Sequence, residues 1–296
     1  MPSTPLVSII ILNWNGWRDT LACVESCHRL DWPNFNVVVV DNASSDGSEE
    51  LLRQNLTDVE IIQSGANLGF AGGNNVGIRH ALERGANYVW LLNNDAVADP
   101  QALTTLVETM GNHPDAAIAG SKIFYHEEPR KIWSAGGMWE KGRLHLRQRG
   151  ANEMDQGQFE ELSEVDSVSG CSMLVRSTVI EKIGLMDEEY FLYWEDSEWC
   201  ARSRSRGYKV LFVPDSKVWH KVSVSTRQSS FLQYYYYTRN GFLFLRENDP
   251  LLFPLFGLYN LLFGFKSLLS GNMQPLQGLF RGGFDSLMGR KGPIRR

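Results

Sequence analysis

The chain has 296 residues, of which 43% are hydrophobic and 21% are charged. This length allows one large core, or one core with a small additional region, and the composition excludes both a disordered chain and an integral membrane bundle. The formal net charge of -5 argues against a general nucleic-acid-binding protein. We therefore expect a folded globular domain with no nucleic-acid partner.

The cysteines and the amino terminus both indicate a cytosolic protein. The four cysteines form no Cys-x-x-Cys pair and no regular framework, so we expect reduced, mostly buried thiols. The apolar segment from Leu6 to Leu12 has no basic leader and is followed by no small-residue cleavage site. It is therefore predicted to be a first strand and not a signal peptide.

The amino-terminal third of the chain alternates strand and helix patterns. Short apolar runs bounded by polar or turn residues predict buried strands at residues 7–12, 37–40, 59–62 and 88–92. The intervening segments predict helices at 20–30 and 48–55, and a third that follows a loop over 67–75 and ends near residue 84. Repeated strand, helix and strand units predict a doubly wound, mostly parallel α/β sheet with helices on both faces.

The predicted strands deliver polar segments to one edge of this sheet, because the carboxyl ends of parallel strands meet there. These segments are Asn13–Asn15, Asp41 and Asn93–Asp95. Open α/β sheets bind their ligands at this edge. Asp95 considered alone is more often explained as a turn residue or a helix cap than as a metal ligand, so its role depends on the rest of the chain.

The second half of the chain shows weaker periodicity. It predicts helices at 100–112, 177–183, 193–206 and 230–246, strands at 165–175 and 209–213, a hairpin within 131–146 and a polar loop at 147–164. Gly170 marks either a close approach of the backbone to a ligand or a close packing contact. Glu195 and Asp196 match the dipole at a helix start, so both residues also have a purely structural explanation.

The carboxyl-terminal region is apolar and basic, with a net charge of +5 from Leu251 onward. A membrane-spanning helix needs ~20 mostly apolar residues, and Pro254, Asn260 and Lys266 interrupt this run. We predict an amphipathic segment that lies in a membrane interface, with a helix packed on the domain as the alternative. The predicted division is one domain at residues 1–228 and a helical, membrane-associating region at residues 229–296.

Eight short motifs together resemble family 2 of the glycosyltransferases, which have the GT-A fold, and within it the bacterial rhamnosyltransferase-type enzymes of surface polysaccharide assembly. They follow the order of that family: Asn13-Trp14-Asn15, Val38–Ser48, Asn67–Ala71, Leu92–Asp95, Gly170-Cys171, Trp194–Asp196, Trp219-His220 and Arg239-Asn240. Each motif alone is a weak signal, whereas their common order over most of the chain disfavours a purely structural explanation.

The resemblance implies a metal site and a nucleotide-sugar donor. Asp95 resembles the last residue of the Asp-x-Asp motif and His220 a further metal ligand, which together suit Mn²⁺ or Mg²⁺, although a buried structural histidine is the alternative. Asn93 stands where the family commonly has the first Asp of that motif, so it suits a hydrogen bond to the sugar of the nucleotide better than ligation. Asp41 would accept the N–H of a uracil or thymine ring.

The remaining donor-binding residues that the resemblance implies are Asn13, Asn15, Asn67, Gly69, Gly170 and Arg239, of which Arg239 would contact either the donor diphosphate or a phosphate of the acceptor. The expected donor is a dTDP- or UDP-linked sugar, with rhamnose favoured by the subgroup. The expected acceptor is lipid-linked or a glycan. The protein would work in the cytoplasm, peripherally associated with the inner face of the membrane.

Asp196 resembles the catalytic base of the family, and Glu195 lies beside it. A single base without a second nucleophile implies inversion at the anomeric carbon. We expect Glu195 and Glu198 to raise the pKa of Asp196 through like-charge repulsion.

Four other classes of protein fit the sequence less well. A sugar nucleotidyltransferase should carry a glycine-rich, basic phosphate loop where this chain has Asn13-Trp14-Asn15-Gly16-Trp17. A catalytically inactive, membrane-docked protein that binds nucleotide sugars would not need both Asp95 and Asp196. A cysteine hydrolase built on Cys171 lacks a conventional partner nearby, and no dinucleotide-binding fingerprint follows a strand.

Overall fold

The computed structural model describes residues 4–140, 145–222, 231–269 and 273–294. The strands are β1 (Val7–Asn13), β2 (Phe35–Asp41), β3 (Glu60–Gln63), β4 (Tyr88–Asn93), β5 (Ala96–Ala98), β6 (Ala116–Tyr125), β7 (Ile132–Ser134), β8 (Gly137–Glu140), β9 (His145–Gln148), β10 (Ser163–Glu164), β11 (Ser172–Arg176) and β12 (Lys209–His220). The helices are α1 (Trp17–Cys27), α2 (Ser48–Asn55), α3 (Gly69–Glu83), α4 (Ala102–Asn112), α5 (Ser177–Ile183), α6 (Glu195–Ser205), α7 (Phe231–Asn248), α8 (Phe253–Leu269) and α9 (Met273–Leu287), and a 3-10 helix covers Pro250–Leu252.

In the described part of the chain, ten strands form one sheet in the order β10-β12-β6-β11-β4-β1-β2-β3, with β5 paired to β12 and β7 to β6. Strand β1 is parallel to β2 and β4, whereas β11 is antiparallel to its neighbours β4 and β6. Successive side chains point to opposite faces, so Ile9 and Ile11 enter one core and Ile10 enters the other. The prediction of a mostly parallel α/β sheet with helices on both faces is confirmed.

Strand β6 is buried inside the sheet although the sequence does not predict it. Small and polar residues interrupt its apolar pattern, yet every residue from Ala116 to Phe124 is buried. Gly120 is needed where Val168 crosses the strand, because a Cβ at Gly120 would lie 2.4 Å from the Val168 Cβ. Lys122 remains buried because Asp155 pairs with its ammonium group at 2.7 Å. Tertiary packing therefore sets this strand, and local periodicity does not.

Two predicted boundaries are wrong at the edge of the sheet that carries the polar strand ends. Helix α3 begins at Gly69 and not after a loop that reaches residue 75, because Gly73 and Gly77 let it pack closely against Leu12 and Ile10. Strand β12 continues past residue 213 to His220, through an irregular register where it pairs with β6.

Helices α7, α8 and α9 form the carboxyl-terminal region and pack against the body of the protein. Tyr190 and Trp194 enter a buried cluster with Phe244 of α7 and Phe256 of α8. Helix α9 approaches the backbone of α7 so closely that a Cβ at Gly282 would lie 2.5 Å from the Tyr235 carbonyl oxygen. The predicted boundary between residues 228 and 229 lies outside the described residues. None of the helices in the described ranges combines the length and the apolar character needed to cross a membrane.

Candidate active site

The carboxyl ends of β1 and β2 share a buried hydrogen-bond network. The side-chain amide of Asn13 donates to the Asp41 carboxylate at 2.7 Å. That carboxylate also accepts from the backbone amide of Ser44 (3.0 Å), the Ser44 hydroxyl (2.6 Å) and the side-chain amide of Gln63 (3.0 Å). Asn13 and Asp41 are both fully buried. Asp41 therefore shapes the loop that follows β2. Its contact with a nucleotide base stays a prediction, and a base N–H would have to replace one of these donors.

The loop after β1 presents exposed groups beside this network. Asn15 has a φ of +54°, and its side chain accepts a hydrogen bond from the Ser45 amide at 2.8 Å. Trp14 is 53% exposed although its side chain is large and aromatic. The sequence motifs predict no role for Trp14. The feature that distinguishes Trp14 in the sequence is an aromatic side chain at a strand end, where polar residues are expected.

Asn67 and Gly69 form the entry into α3. The Asn67 side chain accepts from the Gly69 amide at 2.9 Å, and Gly69 has a φ of +73°, which glycine tolerates best. A Cβ at Gly69 would lie 2.3 Å from the carbonyl oxygen of Phe191, to which the Phe70 amide donates at 2.6 Å. The predicted donor loop, residues 67–71, therefore contacts the segment that leads into α6.

Strand pairing brings Asp95 and His220 together. Asp95 lies between β4 and β5, and Ala96 at the start of β5 is the antiparallel partner of His220 at the end of β12. The His220 Nε2 atom lies 3.0 Å from an Asp95 carboxylate oxygen, and both residues are buried. Within the described residues, the buried His220 Nδ1 atom has no hydrogen-bond partner.

The chemistry of this pair fits a divalent cation that a substrate also binds. Carboxylate and imidazole are ligands for Mn²⁺, and a metal held by few protein groups takes further oxygens from substrate phosphates and water. No group of three or more His, Cys, Asp or Glu among the residues that the structure covers is arranged to hold a metal ion. Burial disfavours the charged imidazolium, but Cys171 and Asp95 together raise the pKa of His220 to about 10. Metal binding to His220 therefore competes with a proton.

Gly170 and Cys171 connect this pair to the start of α6. The backbone amide of Gly170 donates to the Asp196 carboxylate at 3.0 Å. The backbone carbonyl of Cys171 accepts from the backbone amide of Asn93 at 3.0 Å. A Cβ at Gly170 would lie 2.9 Å from the Phe70 ring, which is a close packing contact, and the approach of a ligand to the Gly170 backbone stays a prediction. Through these two hydrogen bonds, Gly170 and Cys171 hold the first turn of α6 close to the end of β4.

Asp196 and Glu195 occupy the first turn of α6 in different environments. Asp196 accepts from the Gly170 amide and, at 2.6 Å, from the Ser197 amide, which favours its charged form. Glu195 is 5% exposed, and its buried Oε2 atom has no hydrogen-bond partner in the described part of the protein. Burial and the nearby charge of Asp196 raise the pKa of Glu195 well above its usual range. The pair can therefore carry one charge, on Asp196.

The pKa of Asp196 is raised, but the cause differs from the predicted one. Burial raises it, while the Gly170 and Ser197 donors lower it. Glu198 forms an ion pair with Arg202 at 2.7 Å, so its negative charge is compensated and does not repel Asp196. Desolvation, and not repulsion from neighbouring carboxylates, therefore makes Asp196 more basic.

Arg239 is not positioned to bind a donor or an acceptor, which corrects the prediction made from the sequence. The side chain is 1% exposed. Its guanidinium donates to the backbone carbonyls of Glu189, Tyr190 and Gly292 and to the side chain of Asn240. With every nitrogen of the guanidinium bonded inside the protein, Arg239 has a structural role.

The fold is of the GT-A type, an α/β architecture. A mannosyltransferase from Pyrobaculum calidifontis, solved in complex with GDP-Man and Mn²⁺, aligns with a TM-score of 0.62 at 15% sequence identity. The alignment covers 98% of this chain and 89% of that one. At this identity the similarity establishes the fold.

The sequence establishes the family. The profile of glycosyl transferase family 2 matches residues 8–184. The dTDP-rhamnosyl transferase RfbF of Shigella flexneri is 32% identical over 239 residues, which cover 77% of this chain and 76% of the relative. The N-acetylglucosaminyl-diphospho-decaprenol L-rhamnosyltransferase of Mycobacterium tuberculosis is 25% identical over 229 residues, which cover 72% of this chain and 75% of the relative. The protein belongs to glycosyl transferase family 2, and its relatives include rhamnosyltransferases, as the motifs indicate.

Proposed function

We propose that this glycosyltransferase moves a sugar, with inversion and with the help of a divalent metal, from a nucleotide-diphosphate donor to a hydroxyl of a lipid-linked or glycan acceptor. The observation that carries the proposal is the bridge formed by Gly170 and Cys171. It brings the carboxylate of Asp196 close to the end of β4, where Asp95 and His220 pair. A base and a metal-ligand pair at one sheet edge are the groups that such a transfer needs.

Asp196 is the proposed general base. The acceptor hydroxyl attacks the anomeric carbon from the face opposite the leaving diphosphate, and its proton passes to the Asp196 carboxylate. Glu195 stays neutral beside it, because its pKa is raised by burial and by Asp196. Asp95 and His220 would hold the metal, which when bound stabilises the negative charge of the diphosphate. Inversion follows from having one base and no second nucleophile.

Thymidine diphosphate rhamnose is the proposed donor, with a UDP-linked sugar as the alternative nucleotide. The Shigella relative is named as a dTDP-rhamnosyl transferase. The mycobacterial relative is named for the N-acetylglucosaminyl-diphospho-decaprenol to which it adds L-rhamnose. We extend both chemistries to this chain as a proposal. The proposed donor-binding residues remain Asn13, Asn15, Asp41, Asn67, Gly69, Asn93 and Gly170.

A thermal-shift experiment with a panel of nucleotide sugars, each with and without Mn²⁺, tests the donor. Ligand that binds the folded state alone raises its stability, by about 2.7 kcal/mol at a hundred times Kd. We expect thymidine diphosphate rhamnose with Mn²⁺ to give the largest rise in Tm, and Mn²⁺ alone to give little. The proposal is wrong if no nucleotide sugar changes Tm under either condition.

The carboxyl-terminal helices present the surface that we propose for membrane association at the inner face of the cytoplasmic membrane. Exposed apolar side chains recur at helical spacing along α8 and α9: Leu255, Leu258, Tyr259, Leu262, Phe280, Phe284 and Leu287. The region carries a net positive charge. An apolar face with basic flanks suits an interface that contains anionic lipids.

Replacing Leu258 and Leu262 together by Asp should weaken binding to phosphatidylglycerol vesicles by at least about tenfold, because two apolar anchors become charged. The two side chains are 52% and 62% exposed, so the fold should tolerate the change. Vesicle sedimentation measures the effect. Leu162→Asp is the matched control, since Leu162 is 43% exposed on the sheet domain. Equal sedimentation of all three proteins would show that the membrane contact lies elsewhere.

A further inference from the structure

We propose that Arg239 and Asn240 of α7 are positioning residues, which hold the segment of residues 189–193 so that Asp196 is presented to the substrate. The inference rests on the proposed role of Asp196 as the base. It assigns to the carboxyl-terminal helical region a part in catalysis that is separate from membrane association.

The segment that leads into α6 has a backbone that its sequence does not favour. Phe191, Tyr193 and Trp194 have φ values of +63°, +68° and +76°, a region that bulky side chains rarely occupy. Such a conformation persists only when the surrounding contacts require it. Trp194 immediately precedes Glu195 and Asp196, so the path of this segment determines where the two acids lie.

Arg239 and Asn240 supply those contacts. The Asn240 side-chain nitrogen lies 2.7 Å from the Tyr190 carbonyl oxygen and 2.8 Å from those of Leu192 and Tyr193. Arg239 donates to the carbonyls of Glu189 and Tyr190 at 3.2 and 3.0 Å. Two consecutive residues therefore satisfy four backbone carbonyls of the segment. Because both side chains are at most 1% exposed, these hydrogen bonds do not compete with water.

The opposite side of the segment rests on the predicted donor loop. The Phe191 carbonyl accepts from the Phe70 amide and lies where a side chain at Gly69 would have to be. The ring of Phe191 stacks on Tyr236 of α7, with ring centroids 5.2 Å apart. The segment is thus held between α7 and the entry to α3. A shift on the α7 side would move the first turn of α6, while the Phe70 amide still holds the Phe191 carbonyl on the other side.

The test compares the full-length variants Asn240→Ala and Arg239→Lys with the parent. Turnover is measured as release of thymidine diphosphate when rhamnose passes from thymidine diphosphate rhamnose to a lipid-linked N-acetylglucosaminyl diphosphate, and amide hydrogen exchange is followed over residues 187–194. We expect kcat to fall by about 10- to 100-fold in each variant, because small misplacements of catalytic groups cost this much. The donor KM should stay within about twofold, since both side chains are buried and bond within the protein. Exchange over 187–194 should increase.

Thr238→Val is the matched control, because Thr238 is also buried on α7 but bonds to Asn260 and not to the segment. We expect it to keep kcat and the exchange of residues 187–194 even where its Tm falls as far as that of the test variants. An equal loss of kcat in the control, or a rise in donor KM at constant kcat, would overturn the proposal. Unchanged exchange over 187–194 in both test variants would also overturn it.

The outcome is separable from that of the proposed function. Should Asn240→Ala fail to fold, Arg239→Lys carries the test alone, since it keeps the positive charge and loses only the fork of donors. Hydrogen exchange requires no donor, so it reports on the positioning contacts even if the nucleotide sugar is a different one. A normal kcat in these variants beside an inactive Asp196→Asn would remove the positioning role and leave the base in place.

Discussion

Asp196→Asn should lower transfer by about 10²- to 10⁴-fold, because an amide cannot take the proton of the acceptor hydroxyl. The parent rate should rise with pH as the carboxylate loses its proton, at a pH above the usual range for Asp because burial raises the pKa of Asp196. The variant should lack this rise. Turnover across a pH series, with a lipid-linked N-acetylglucosaminyl diphosphate as acceptor, measures both effects.

The same variant should keep its fold. The raised pKa of Asp196 means that its ionisation at neutral pH opposes folding, and Asn removes that cost while losing one acceptor for the Gly170 or Ser197 amide. We therefore expect Tm to change by only a few degrees and donor binding with Mn²⁺ to persist. A helix-start role alone would be worth about 0.3 to 2 kcal/mol of stability and would leave turnover unchanged.

Glu198→Gln is the control on the same helix. It makes the same acid-to-amide change at a residue whose carboxylate already pairs with Arg202. We expect it to lose some stability and to keep its turnover. Near-parental turnover in Asp196→Asn would return Asp196 to a structural role. Loss of activity in Glu198→Gln, or in Glu195→Gln, would then identify the base.

Asp95→Ala should reduce transfer by more than about 10³-fold, because a Lewis acid at the diphosphate contributes several kcal/mol to the transition state. It should also abolish the part of the nucleotide-induced rise in Tm that depends on Mn²⁺. His220 loses its partner at 3.0 Å, so a modest fall in Tm is expected as well. Thermal shift with and without Mn²⁺ separates the two effects.

Two further variants make this result specific to the metal. Asp95→Asn keeps an oxygen that can accept from His220 Nε2 but removes the negative charge, so it should restore Tm and not activity. Asp99→Ala removes a nearby carboxylate whose bond is to the Gln101 amide at 2.9 Å, and it should leave the effect of Mn²⁺ intact. Unchanged activity in Asp95→Ala, or loss of the Mn²⁺ effect in Asp99→Ala alone, would contradict the assignment of Asp95.

Much of the site follows from local sequence patterns. Asn13 and Asp41 are predictable because each ends an apolar run, and the carboxyl ends of neighbouring parallel strands must meet. The observed register places these two residues directly opposite each other. The hydrogen bonds that enclose the Asp41 carboxylate are not predictable in this way, since they depend on how the loop after β2 folds back.

The amino-acid sequence alone is enough to identify the α/β class, the family and the strand ends that carry polar residues, because all three depend on apolar runs and on motifs that are continuous in the chain. Only the tertiary structure pairs β5 with β12 and so places His220 beside Asp95, buries β6 despite its mixed composition, and directs Arg239 toward backbone carbonyls. These features depend on contacts between residues that are distant in sequence. Local periodicity holds no information about which polar side chain the folded chain will enclose or which partner it will meet there.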